Sequence, residues 1–452
     1  MLLYPNSKVY IFCAGGVRSD SIELCHRLCS QLIRLEVDAK MVYVPVTENF
    51  DPDNPINPAY EAFRVPYTYD VDDVSQNILI VPETLTSFLY SVKNIRRVIW
   101  WLSVDNFFRD IALKAVSHFD NLLALPMVKF FCFQKCDEDI EHWTQSEYAK
   151  KFLRVNKVPD EKVYYIGDCI SPTLVKMNDE IDFDKKKDTV VYNTLTSVKI
   201  MPKLQERMKD VNFVAIQNVD AKDAPKLLAE SKVYVDFGDF PSKEMMPRRA
   251  AMLGCVVVTG KRGAAGNNID VNILPEFKFG DTDEDLPRIE KKIREILKDF
   301  KDAYSRQRPF RDKILGEKRN FERNISMTLG VKAKSDVEPA AIFNGLNEMG
   351  QAVAEILLKN EVGLDISYII NDDTANERNS ALDVVYENSG AFLTLSEGKK
   401  LPIITSDDAR FLYNEGRVRK IILLTSDKRE ENFVKTVIKP LKDDIISTNF
   451  EE

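Results

Sequence analysis

VYVDFGDFPSKEMMPRRAAMLGCVVVTGKRGAAG, residues 233–266, contains two apolar runs that each end in a glycine, with a helical stretch between them. The runs are rich in Val, which favours strands. Pro247 stands where a helix can begin without losing a bonded N–H. The order strand, helix, strand is typical of a parallel α/β sheet, so this stretch predicts the fold class of its domain.

The same alternation extends on both sides of this stretch. Upstream, the strand patterns TVVYN and NFVAIQ alternate with the helical patterns SVKIMPKLQERM and AKDAPKLLAES. Downstream, the charged amphipathic residues 285–330 predict a pair of long surface helices. Residues 171–332 are therefore expected to form one Rossmann-like domain with closing helices.

Two further α/β segments flank this domain. In residues 1–170, KVYIFCA, MVYVP, NILIVP, RRVIWWLS and KFFCFQ predict strands, and the Pro- and Asn-rich residues 45–70 predict an irregular excursion. Residues 333–452 begin with a pattern like a dinucleotide fingerprint, in which Asn347 replaces the middle glycine between Gly345 and Gly350. The predicted fold is α/β, with two Rossmann-like domains followed by a third, smaller one.

Composition restricts the partners. The 452-residue chain has a formal net charge of −8, which disfavours nucleic acid as a partner. Its seven cysteines have no framework spacing, so we expect reduced thiols in a cytoplasmic protein. No apolar run reaches the ~20 residues of a membrane span, so any membrane contact is expected to be peripheral. Cys132, Cys136 and His142 lie near one another, but strand-like KFFCFQKC is a poor zinc motif and no metal is predicted.

Basic residues gather around the predicted strand ends. Ligands of parallel α/β sheets bind beyond the carboxyl ends of the strands, and Arg248 and Arg249 fall in a first helical turn, where cations oppose the helix dipole at a cost of about 0.3–1 kcal/mol each. A nearby anion would offset that cost. The predicted anion-binding residues are Lys199, Gly238, Lys243, Arg248, Arg249, Lys261, Arg262 and Gly263. A solvated edge of the domain is the plain alternative.

Several motifs together resemble bacterial glycosyltransferases of the GT-B fold. They are the Gly15–Gly16 turn, TQSEYAKKFL followed by VYYIG, and DFG with PRRAAMLGCVVVTGKRGAA, and the resemblance covers residues 8–325. It implies that the two Rossmann-like domains adopt the GT-B arrangement, with a nucleotide sugar on the second domain and the acceptor over the first. MPRRAAMLGC resembles the helix whose glutamate holds the donor ribose in that family, and here that position is Arg249.

The resemblance and the residues together predict a metal-independent transferase. Its donor is a nucleoside diphosphate sugar, no cofactor assists catalysis, and the acceptor is a glycan, lipid-linked or protein group in bacterial surface polysaccharide or glycoprotein assembly. Gly15, Gly16 and Arg18 are expected to form the cleft loop of the first domain. Asp105, after the strand RRVIWW, is the predicted catalytic base, with a helix cap as its alternative. Trp100 and Trp101 are expected in the core or against a sugar.

Two other functions remain open on the sequence. A non-catalytic scaffold, or a partner subunit of another glycosyltransferase, is favoured by Arg249 in the glutamate position. Redox chemistry on sugars would require residues 336–452 to bind a dinucleotide, and Asn347 argues against it.

Overall fold

The computed structural model describes the chain except residues 47–49, 118–130, 134–138, 195–198, 220–221, 332–337, 360–363, 373–381, 383, 388–389, 397, 416, 426 and 448–452. The strands are β1 Lys8–Ala14, β2 Asp38–Val44, β3 Ile78–Pro82, β4 Arg96–Trp101, β5 Ile140–Thr144, β6 Val163–Tyr165, β7 Lys187–Tyr192, β8 Asn212–Ala215, β9 Ser231–Asp236, β10 Val256–Thr259, β11 Glu338–Phe343, β12 Leu364–Ile370, β13 Val384–Glu387, β14 Gly390–Thr394, β15 Lys400–Ile404, β16 Lys420–Leu423 and β17 Ile445–Ser447.

The α-helices connect these strands. They are α1 Asp20–Arg34, α2 Val104–Ser117, α3 Glu147–Val155, α4 Pro172–Lys176, α5 Met201–Arg207, α6 Ala224–Glu230, α7 Met245–Met252, α8 Leu286–Lys298, α9 Phe300–Arg306, α10 Arg308–Leu315, α11 Glu317–Leu329, α12 Glu348–Lys359, α13 Ser406–Glu415 and α14 Lys428–Val437. The chain forms two compact units: unit 1 is Met1–Ser7 with Asp72–Gly330, and unit 2 is Lys8–Val71 with Val331–Glu452.

Unit 1 contains two parallel sheets. Strands β3, β4, β5 and β6 pair side by side in that order. The other sheet has the order β10-β9-β7-β8, and its pairs are parallel. Strands β3, β4, β9 and β10 are short, rich in apolar residues and mostly buried, as parallel strands covered by helices are, whereas β6 and β8 are only partly buried. The carboxyl ends of β9 and β10 are therefore neighbours at one edge of the second sheet.

Unit 2 combines an early segment of the chain, Lys8–Val71, with the carboxyl-terminal segment, Val331–Glu452. Strands β1 and β2 pair in parallel. The carboxyl-terminal sheet has the order β13-β14-β15-β12-β11-β16-β17, in which β14 runs antiparallel to both β13 and β15 and the other described pairs are parallel. The N-terminal segment packs on α13 through two ion pairs, Arg27–Glu415 at 2.5 Å and Arg64–Asp408 at 2.5 Å. Phe63 also packs edge-on against Phe411 of α13.

The predicted α/β class is confirmed by these parallel sheets, and the described part of residues 45–70 is irregular apart from a 3-10 helix at Pro58–Phe63. Two elements differ from prediction. The described residues of KFFCFQ, 131–133, are not a strand, and β5 pairs with β4 instead. Residues 285–330 form four helices, α8 to α11, because Asp299 caps α9, Pro309 opens α10 and Gly316 precedes α11.

The predicted boundaries at residues 170 and 332 stay predictions. Among the residues that the structure describes, none of the helices has the length and apolar character needed to cross a membrane.

Candidate functional site

The two neighbouring strand ends are built around Asp236, the last residue of β9. Its carboxylate accepts the N–H of Gly238 at 3.0 Å, and its carbonyl accepts the N–H of Gly260, just beyond β10, at 2.8 Å. Gly263 has φ +50°, and a Cβ there would lie 2.1 Å from the Phe240 carbonyl oxygen. The basic loop after β10 therefore packs directly on the loop after β9, and only glycine fits at position 263.

Arg262 links these two loops. Its Nη1 donates to Asp239 at 2.9 Å and its Nη2 pairs with Asp281. The Arg262 side chain is 47% exposed, so its guanidinium is held in place at the surface. Lys261 beside it and Lys199, on the connection that leads from β7 to α5, are also exposed. These three cations are accessible to a ligand.

Lys243 and Arg248 lie inside the protein. Helix α7 begins at Met245, two residues before the predicted start at Pro247, and Arg248 is 1% exposed on its buried face. Arg248 donates to both oxygens of Asp168 and, at 2.8 Å, to Glu317, while Lys243 is 2.6 Å from Asp168. The anions that offset the predicted cation cost are thus two carboxylates of the chain.

Electrostatics matches this geometry. Burial acts to raise the pKa of Asp168, but Arg248 and Lys243 outweigh it and hold that pKa below the usual range. Burial raises the pKa of Glu317 despite the adjacent Arg248. The four side chains, which we call the buried ion cluster (Asp168, Lys243, Arg248 and Glu317), carry two positive and two negative charges and compensate one another.

Arg249, the neighbour of Arg248, is half-buried on α7. Its guanidinium lies 3.1 Å from the Met245 sulfur. A guanidinium donates hydrogen bonds and cannot accept them, so it can contact a ribose hydroxyl only as a donor. The chemistry of this position therefore differs from that of a glutamate.

Asp105 lies in the first turn of α2, directly after β4. The Tyr148 hydroxyl donates to its Oδ1 at 3.3 Å. Partial burial and the nearby Asp239 raise the pKa of Asp105, while Tyr148 and Arg109 act to lower it, and the net direction is upward. The charge of Asp239, in the loop after β9, thus acts on Asp105 at the end of β4, and Asp239 in turn pairs with Arg262.

The remaining predicted residues belong to the turn after β1 and to β4. Gly15, Gly16 and Arg18 follow β1 in unit 2: Gly15 packs against Phe50, Gly16 has φ +71° and Arg18 is exposed. Trp100 and Trp101 are fully buried and donate to the Ile166 carbonyl and to His142, so they are core residues. Sequence patterns assigned no role to Tyr148, Asp168, Asp270 or Glu317. The serine cap that starts α3 is the local signal that could have drawn attention to Tyr148.

Residues that could hold a metal or dinucleotide have other contacts. In the described ranges, no three His, Cys, Asp or Glu side chains converge as a metal site, and Cys136 lies outside those ranges. Beyond β11, the Asn347 amide bridges the Asn344 carbonyl and the Gly350 N–H, each at 2.8 Å. Asp372, after β12, accepts the N–H and hydroxyl of Ser406. The groups at these two strand ends are used within the protein.

Comparison with known proteins yields similar structures only. No family model and no curated protein matches the chain. It is similar to a glycosyltransferase from Rickettsia africae ESF-5 (10% identity, 72% of this chain and 99% of that one, TM-score 0.45), and to Anabaena HepE in complex with UDP-glucose (10%, 72% and 99%, 0.44). The chain is also similar to sucrose-phosphate synthase from Thermosynechococcus elongatus, with 12% identity over 72% of this chain and 98% of that one and a TM-score of 0.46.

Proposed function

We propose that the protein is a metal-independent glycosyltransferase that takes a sugar from a nucleoside diphosphate donor bound at the carboxyl ends of β9 and β10. The observation that carries the proposal is Arg262, an accessible cation fixed between Asp239 and Asp281 on a glycine-rich loop at two neighbouring parallel strand ends. Such strand ends are where α/β sheets bind ligands.

The donor's leaving group explains the basic residues. Glycosyl transfer leaves negative charge on the departing diphosphate, which fixed cations and backbone N–H groups stabilise. Lys199, Lys261 and Arg262 are exposed and are assigned to the diphosphate. Gly238 and Gly263 shape the backbone there. Lys243 and Arg248 support the site from the buried ion cluster, and Arg249 takes the ribose side.

Asp105 is assigned as the general base toward the acceptor hydroxyl. A carboxylate with a raised pKa is a stronger base at neutral pH than an ordinary aspartate, and burial together with Asp239 raises the pKa of Asp105. Asp239, whose charge acts on Asp105, pairs with Arg262 of the proposed donor loop, and this supports the assignment. The acceptor itself is proposed to be a glycan, lipid-linked or protein group of a bacterial surface glycan, with Gly15, Gly16 and Arg18 on the acceptor side and the cytoplasm as the site of action.

A non-catalytic scaffold or partner subunit of another glycosyltransferase is the second candidate. Arg249 favours it, because a guanidinium stands where the resembling family has the ribose-binding glutamate. Such a protein would keep a nucleotide at Arg262 without turning it over.

Release of nucleoside diphosphate from a panel of UDP-, GDP- and dTDP-sugars, with and without oligosaccharide acceptors, tests transfer directly. We expect one donor to be consumed, and Asp105→Asn to slow consumption by about 10²–10⁴-fold. Asp160→Asn, which changes an exposed carboxylate paired with Arg154, is the matched control. Donor binding without turnover by the wild type would favour the scaffold. Equal rates of donor consumption in the wild type and Asp105→Asn would rule out Asp105 as the general base.

A further inference from the structure

Asp270, in the segment that follows β10, caps the N-terminus of α3. This helix follows β5 and so comes from the part of unit 1 that forms the first sheet. The two carboxylate oxygens of Asp270 accept the N–H groups of Glu147 at 2.8 Å and Tyr148 at 2.9 Å, the first two residues of α3. Asp270 is 3% exposed. A carboxylate at a helix N-terminus is favourable both as a hydrogen-bond acceptor and toward the helix dipole. The backbone of Tyr148 is therefore fixed by a residue from the segment that follows β10.

Asp270 is in turn held by the segment that follows the basic loop. Asn267 exchanges two hydrogen bonds with it, at 2.7 Å and 2.9 Å. Lys278 donates to the carbonyls of Ala265 and Asn267 and to the side chain of Asn268. Residues 265–270 thus form a hydrogen-bonded segment that begins three residues after Arg262 and joins the basic loop to Asp270.

The side chain of Tyr148 contacts Asp105, the proposed general base. Its hydroxyl donates to Asp105, and the other charged groups that face Asp105 are Asp239, from the loop after β9, and Arg109, from α2 itself. One residue therefore bonds to Asp270 through its backbone and to Asp105 through its side chain.

We propose that Tyr148 is a positioning residue through which Asp270, and with it the basic loop after β10, sets the orientation and proton affinity of Asp105. This rests on the proposed function, in which Asp105 is the base and the basic loop binds the donor. A donor that moves the loop would thereby adjust the base, so that Asp105 is tuned when the donor diphosphate is in place.

The sign of the effect follows from hydrogen bonding. A hydroxyl that donates to a carboxylate favours its charged form and lowers its pKa. Removing the hydroxyl raises the pKa of Asp105. Asp270→Asn can accept only one of the two α3 N–H groups, since an amide has one acceptor oxygen and presents an NH₂ group at the other position. It should therefore act in the same direction, through a displaced Tyr148.

The test is a titration of Asp105 by NMR in the full chain labelled with ¹³C at the aspartate carboxyl carbon, with the Asp105 signal assigned by its loss in Asp105→Asn. Tyr148→Phe, Asp270→Asn and the double variant are compared with the wild type. Tyr192→Phe, which removes a hydroxyl bonded to Gln205, is the matched control. The readout requires neither donor nor turnover, so an inactive wild type would count against the proposed function and leave this result standing.

We expect Tyr148→Phe to raise the pKa of Asp105 by about 0.5–1 unit, as for the loss of one hydrogen bond, and Asp270→Asn to raise it by less. In the Tyr148→Phe background, Asp270→Asn should add nothing, because its effect passes through the tyrosine. An unchanged titration of Asp105 in Tyr148→Phe, or an Asp270→Asn effect that survives in the double variant, would overturn the proposal.

Discussion

Arg248 and Asp168 form a bidentate ion pair closed off from solvent, with Nη1 3.1 Å from one carboxylate oxygen and Nη2 bonded to the other. Lys243 and Glu317 complete the pair into a cluster with equal numbers of positive and negative charges. Through it, the segment after β6 is joined to α7 and α11. Two cations that the sequence assigns to the donor are, in the structure, bound by the chain's own acids.

Breaking the buried ion cluster should destabilise unit 1. Asp168→Asn leaves Lys243 and Arg248 with Glu317 alone, and an uncompensated buried charge costs about 3–5 kcal/mol. Urea unfolding should show a loss of this size. Asp160→Asn removes the partner of Arg154 in an exposed pair and should change the unfolding free energy by less than about 1 kcal/mol. Equal effects of the two substitutions would contradict the role given to the cluster.

The fold was predictable where apolar runs stand between glycine, proline and charged residues. Strands β9 and β10 and helix α7 lie within two residues of their predicted limits, since Val-rich runs bury well in a parallel sheet. Strand β5, IEHWT, escaped prediction because it is short and half polar. KFFCFQ looked like a strand, yet Phe131 and Phe133 pack on the ring of Trp101 from irregular chain.

The site was predictable only in part. The basic residues at the strand ends are local features of the sequence, and Arg262 is indeed accessible. The partners of Arg248 stand 80 and 69 residues away along the chain, at Asp168 and Glu317, and no local pattern gives such a distance. Whether a cation is buried depends on these distant acids. The sequence alone therefore could not predict that Arg248 is buried and Arg262 is exposed.

Glu83 should make stability fall as pH rises. It is buried, its Oε2 accepts the N–H of Leu102 at 2.8 Å, and burial raises its pKa to about 7. The folded protein keeps this proton up to about pH 7, whereas the unfolded chain releases it near 4.3, so the folded state binds more protons in that window and loses stability through it. Relative to Glu83→Gln, the wild type should lose about 3 kcal/mol between about pH 4 and pH 8.

Urea unfolding at a series of pH values measures this difference. Glu61→Gln changes an exposed carboxyl and serves as control. A difference between wild type and Glu83→Gln that stays constant with pH would show that Glu83 keeps an ordinary pKa. Because Leu102 lies just before α2, the Glu83 carboxyl group, as the acceptor of its N–H, supports the turn that leads to Asp105.

Gly263 should not tolerate a side chain. Alanine there would combine a left-handed backbone with a Cβ 2.1 Å from one carbonyl oxygen and 2.3 Å from another, on Phe240 and Asp239. Gly398→Ala has φ +81° but nothing within 4 Å, so it isolates the backbone cost of about 1–2 kcal/mol. Thermal unfolding should show a larger loss for Gly263→Ala by about 1–3 kcal/mol. Matching losses would mean that the loops can separate freely.

Nucleotide binding to the whole chain tests the central claim most directly. Isothermal titration with UDP, GDP, dTDP, ADP and CMP should find one nucleotide that binds, and Arg262→Gln should weaken it about tenfold or more, as expected for a lost charged hydrogen bond of about 1.5–3 kcal/mol. The matched control is Arg288→Gln, which replaces an exposed arginine paired with Asp285, three residues before it. This variant should bind the nucleotide as the wild type does. Absence of binding by every nucleotide, or equal affinity in Arg262→Gln, would contradict a donor site at the ends of β9 and β10.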